Sequence, residues 1–67
     1  MILKTRIFDL HKEKYNNITE LAKVMRVSPG YVYKVREGKR KINQKFILGA
    51  MVAFPGNKLD DLFYIED

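Results

Sequence analysis

Only Arg26-Val27-Ser28 separates two stretches that both read as helix, and this short connection constrains the fold more than any other feature. The second stretch, SPGYVYKVREG, opens with Ser28, a good N-cap, and Pro29 at the first helical position. A Pro-Gly pair usually marks a turn. At a helix start, however, the missing N–H of proline has no intrahelical partner to lose and its φ is already helical. Gly38 then supplies the usual C-terminal glycine, so a helix is predicted from Pro29 to Glu37. The first stretch begins at Asn17, with Glu20 three residues on, which resembles a capping box with Asn in place of Ser or Thr. Ile18, Leu21, Ala22 and Met25 give it an apolar face to about Met25. Two helices joined so tightly make a helix-turn-helix.

The remaining chain also reads as short helices. Leu3, Ile7 and Leu10 have the i, i+4, i+7 spacing of an amphipathic helix, predicted to end near Tyr15. Asn43 can cap a fourth helix from Gln44 to about Phe54, stopped by Pro55-Gly56. Asn57 or Lys58 opens a last short helix through Leu59, Leu62 and Phe63. No segment sustains period-two alternation. The fold predicted is all-α, five helices in one domain over residues 1–67.

A chain of about 60 residues buries only about 60% of its unfolded surface, so a small core is expected. With no cysteine there is neither a disulfide nor a thiolate metal site. The longest apolar run, Phe46 to Phe54, is nine residues, against roughly 20 for a membrane helix. The N-terminal segment is charged throughout and lacks a signal-peptide core. A cytoplasmic protein is the expectation.

Charge separates the two ends. Residues 1–45 hold twelve Lys/Arg against four Asp/Glu, a net +8, and residues 46–67 hold one Lys against four acids, a net −3. Between Lys23 and Lys45 stand eight basic residues and the single acid Glu37. Such clustering suits a polyanion.

On the third helix Val32 and Val35 fall on one side, which must face the core. The opposite side carries Gly30, Tyr33, Lys34 and Glu37, with Tyr31 and Arg36 on the flanks. A recognition helix enters the major groove N-terminal end first, and Pro29 and Gly30 leave no bulk there. Tyr33 and Lys34 lie one turn on, where lysine can meet guanine O6/N7 and a ring can meet a thymine methyl. Lys39, Arg40 and Lys41 are placed to run along phosphates, as are the N-termini of the second and fourth helices, and Asn17, Thr19 and Ser28 join the expected DNA-binding residues. Tyr31 fits the edge of the core as well as a DNA contact, and Glu37 fits solvent or the exclusion of wrong bases.

These residues resemble the Cro/repressor-type helix-turn-helix family, also called the xenobiotic-response-element family. The likeness rests on ELAKVMRVSPGYVYKVREGKR, with Leu21-Ala22, Val27-Ser28, Val32, Val35 and Gly38 at the family's characteristic positions, and on the tail LDDLF. The resemblance implies a five-helical domain that binds operator DNA, usually as a dimer, and regulates transcription. It puts base reading at Pro29, Gly30, Tyr33 and Lys34. Three positions depart from the family pattern. Arg26 stands where glycine is common in the turn, and Ile18 where a phosphate-touching glutamine is common. His11 and Arg36 replace an arginine–glutamate pair, leaving Arg36 freer to reach DNA and His11 without an evident partner.

The fourth helix is apolar all round. Ile47, Ala50, Met51 and Phe54 suffice for a core face, which leaves Phe46, Leu48, Val52 and Ala53 over. A homodimer on the fourth and fifth helices is therefore expected, through Phe46, Leu48, Val52 and Phe63. The function predicted is sequence-specific binding of double-stranded DNA by a small transcriptional regulator. The alternative is a protein-interaction module, or an antitoxin whose apolar helix covers a toxin. With one histidine and no convergent carboxylates beyond Asp60-Asp61, no catalytic residue, metal, cofactor or small-molecule ligand is expected.

Overall fold

The computed structural model describes all residues, 1–67. In chain order they form β1 (Ile2–Thr5), α1 (Ile7–Leu10), a 3-10 turn (His11–Glu13), α2 (Ile18–Met25), α3 (Pro29–Arg36), α4 (Gln44–Ala53), α5 (Leu59–Leu62) and β2 (Phe63–Glu66). The three longer helices start where their caps are. Asn17 Oδ1 accepts from Glu20 N at 2.9 Å, Ser28 Oγ from Tyr31 N at 3.1 Å, and Asn43 Oδ1 from Phe46 N at 2.9 Å. Each bond satisfies one N–H that the helix cannot satisfy itself.

Two helices end alike. After α3, Gly38 at φ 78° lets Lys39 N reach Lys34 O (2.8 Å) and Gly38 N reach Val35 O (3.1 Å). After α2, Val27 N reaches Ala22 O (3.1 Å) and Arg26 N reaches Lys23 O (3.2 Å), with Arg26 in the left-handed region at φ 61°. Both are Schellman ends, and the second is built without the glycine that suits it. A left-handed side-chain-bearing residue costs about 1–2 kcal/mol. Arg26→Gly is therefore expected to stabilise the domain by about 1 kcal/mol, raising Tm by about 4–8 °C in a thermal melt.

The termini correct the all-α expectation. β1 and β2 pair antiparallel in register Ile2↔Glu66 through Thr5↔Phe63. Leu3 thus belongs to a strand, and the first helix begins only at Ile7. Ile2, Thr5, Phe63, Tyr64 and Ile65 are β-branched or aromatic, types that favour a pleated surface. The sheet hands over to α1 through one carbonyl. Leu62 O accepts from Arg6 N and from Thr5 Oγ1, both at 2.8 Å.

The core gathers Ile7, Leu21, Val32, Phe46 and Leu62 as its largest fully buried side chains. Here α4 also differs from expectation. Its inward face is Phe46, Gly49, Ala50 and Ala53, while Met51, expected inside, is exposed. Gly49 explains the rotation. A Cβ there would lie 2.5 Å from Met25 O and 2.8 Å from Met25 Cβ, so α4 meets the end of α2 at backbone distance. Only the glycine face can approach that closely. Gly49→Ala is expected to destabilise by about 1–3 kcal/mol in denaturant unfolding, although alanine normally gains about 1 kcal/mol over glycine within a helix.

Candidate nucleic-acid interface

α2 and α3 pack against each other across the Arg26–Ser28 turn, an arrangement consistent with a helix-turn-helix. Val32 is buried and Val35 half-buried, which turns the other side of α3 outward. Pro29, Gly30, Tyr33, Lys34, Arg36 and Glu37 are all exposed there. Nothing lies within 4 Å of where a Gly30 Cβ would stand, so packing inside the chain does not require glycine at this position. The opening is toward solvent.

Tyr33 and Arg36 act together. The Arg36 guanidinium carbon sits 4.9 Å from the Tyr33 ring centroid. Their i, i+3 spacing is visible in the sequence and brings them to one patch of helix surface. Stacking restrains a long, rotamer-rich side chain and holds its cation at the outer face. His11, the residue at the other family-pair position, is buried, with Nδ1 2.9 Å from Phe8 O and its ring edge-on to Phe8. It contributes nothing to this face.

Of the two roles left open by its position, Tyr31 takes the core edge. Its ring packs edge-on to Phe46 with centroids 5.8 Å apart. Its hydroxyl donates to Lys41 O at 2.6 Å and accepts from Asn43 N at 3.1 Å. The side chain therefore ties the Lys39–Lys41 loop to α3 and to the start of α4. Those backbone bonds use the hydroxyl that a DNA contact would have needed. Tyr31→Phe is expected to cost about 1 kcal/mol net and to speed amide exchange at Asn43 while α2 stays protected. Hydrogen-exchange NMR reads both effects.

Lys39, Arg40 and Lys41 extend into solvent beside α3. Lys39 Nζ lies 3.8 Å from Glu37 Oε1, and both side chains are well exposed. A surface pair of this kind contributes little. No other ion pair forms in the molecule, so the remaining cations near α3 have no carboxylate holding them. Asn17, Thr19 and Ser28 are exposed at the starts of α2 and α3, though the oxygens of Asn17 and Ser28 are engaged as caps.

The expected dimer residues divide. Phe46 is fully buried and Phe63 only 7% exposed, their rings edge-on with centroids 6.3 Å apart. Neither presents a surface to a partner. They are core because α4 turns its glycine face inward and because β2 draws Phe63 under the sheet. Leu48 and Val52 are 54% and 63% exposed, and Met51 between them is 42% exposed. They form an i, i+3, i+4 stripe. No helix is long and apolar enough to cross a membrane. Comparison with family models, curated proteins and solved structures finds no match to this chain.

Proposed function

We propose that this chain is a small Cro/repressor-like regulator that binds double-stranded DNA with α3 in the major groove. The observation carrying the reading is the composition of one surface: an open helix start at Pro29-Gly30, then Tyr33 and Lys34, bordered by Arg36 and by a loop of three cations anchored through Tyr31. An α-helix with its side chains is about 10–12 Å across, which suits a groove about 12 Å wide. Tyr33 and Lys34 read base edges in this proposal. Arg36, Lys39, Arg40 and Lys41 meet phosphates, which position the domain without carrying sequence information. Arg26, exposed in its strained turn, adds a cation beside the start of α3.

A homodimer completes the proposal. The exposed stripe Leu48, Met51 and Val52 would face its counterpart across a two-fold axis. The domain is 31 Å along its longest axis, comparable to the roughly 34 Å between half-sites one helical turn apart. The same stripe favours the second reading, in which the chain is a protein-interaction module or an antitoxin and α4 docks on another protein. No catalysis, metal or cofactor enters either reading.

The deciding experiment is fluorescence anisotropy of the whole chain against duplexes selected from a random pool, titrated across salt. A selected palindrome bound about 10³-fold or more above random DNA, with log K falling linearly in log salt, supports the specific regulator. Weak, sequence-blind binding sends the search to a protein partner on Leu48 and Val52.

A further inference from the structure

A cleft of about 590 Å³ runs beside the candidate DNA face and shares its cations, and neither reading above gives it an occupant. One wall is Met1 to Thr5, containing all of β1, and the other is formed by Arg36 and Gly38 to Ile42. Five successive residues line the first wall. Neighbouring strand residues point to opposite faces, so the cleft follows the edge of β1 and not one of its faces. β2 covers only the other edge, because the sheet has two strands. In an antiparallel pair every second residue turns its N–H and C=O away from its partner. β1 therefore offers unpaired donors and acceptors along the cleft.

The rest of the lining defines what fits. Leu3, Phe8, Val35 and Ile42, half-buried against the core, give the cleft an apolar base. Lys4, Arg36, Lys39, Arg40 and Lys41 give it five cations, and no carboxylate lines it. Glu37, opposite Lys39 at 3.8 Å, stands outside. Lysine on an edge strand discourages pairing with neutral or basic strands, and the same charges attract an acidic one. A phosphate or a fatty carboxylate supplies only acceptors to a strand edge that needs both donors and acceptors. A peptide backbone supplies both.

We propose that this cleft docks an extended acidic peptide, with acidic and apolar residues alternating, as a third strand on β1. Its backbone pairs with β1, its apolar side chains enter the base, and its carboxylates meet the cations. β1 is four residues long, so about four to six peptide residues engage at about 3.4 Å each. Docking is independent of the DNA reading. One consequence does rest on that reading: Arg36, Lys39, Arg40 and Lys41 belong to both surfaces, so peptide and DNA exclude each other and an acidic segment of another protein would release the DNA.

The test is amide chemical-shift mapping on the ¹⁵N-labelled chain without DNA. The probe is a blocked octapeptide alternating glutamate and valine. Shifts are expected at Ile2 to Lys4 and at Lys39 to Ile42, with slowed exchange of β1 amides. The same peptide N-methylated at alternate residues keeps its charge and loses the pairing donors, so it should bind at least about tenfold more weakly. Arg40→Glu combined with Lys41→Glu changes only exposed side chains and should weaken the unmodified peptide by a similar factor. Absent shifts at millimolar peptide would overturn the proposal, as would equal binding of the N-methylated form, which indicates charge attraction alone. Dodecanoate shifting these amides where the peptide does not would make this a site for a small amphiphilic anion. Peptide binding with no selected DNA would leave the cleft standing and remove only the regulator.

Discussion

Phe46→Ala is expected to cost about 3–5 kcal/mol, the range for emptying a fully buried phenylalanine site. Stability scales as about 0.05–0.15 kcal/mol per residue, so a chain this short has roughly 3–10 kcal/mol in all. The substitution thus removes at least about a third of it and can remove all of it. Phe46 touches two other aromatic rings edge-on, Tyr31 at 5.8 Å and Phe63 at 6.3 Å. Its loss also withdraws the support beneath the Tyr31 tie to the basic loop. Leu48→Ala on the opposite face should leave the fold within about 0.5 kcal/mol. Urea denaturation of the two variants separates core from surface on α4. A small cost for Phe46→Ala would mean that the helix turns a different face inward. Sedimentation of Leu48→Ala then asks whether that face joins two copies: association lost with the fold intact supports the proposed dimer.

The second large effect concerns charge. Changing Lys39, Arg40 and Lys41 together to alanine is expected to lower affinity for selected DNA on the order of 10²-fold near 0.1 M salt. Each phosphate contact contributes about 0.9 to the slope of log K against log salt. Losing three should flatten that slope by roughly 2 to 3, for specific and random DNA alike. The fold should survive, because Tyr31 holds the loop through Lys41 O, an atom the alanine retains. Lys34→Ala should behave differently, costing about 1–3 kcal/mol on the preferred sequence and relaxing its specificity. If the triple variant keeps its slope, these three cations do not meet phosphates. If Lys34→Ala weakens all sequences uniformly, Lys34 is a phosphate contact and not a reader of bases.

Much of the candidate interface was legible because its causes are local. The caps at Asn17, Ser28 and Asn43 join a side chain to an N–H three residues on, within any short window of sequence. Gly38 stands where a left-handed residue is needed, and the structure has it there at φ 78°. The outward face of α3 follows from Val32 and Val35 because helical periodicity fixes the rest. The Tyr31 hydroxyl bonds were not legible. Lys41 and Asn43 lie ten and twelve residues away, and nothing in the intervening loop specifies its path.

The sequence by itself determined where α2, α3 and α4 start and stop, the short α2–α3 connection, and the concentration of positive charge on and after α3. All of these depend on neighbours within a few residues. Tertiary structure decided the rest. The strands are four residues each, too short for a convincing alternation, and their pairing joins Ile2 to Glu66 across nearly the whole chain. An all-apolar helix leaves its own rotation unspecified, because every face can be buried. For α4 the choice fell to Gly49, where contact with the Met25 backbone admits no side chain and so turns Phe46 inward and Leu48 and Val52 outward.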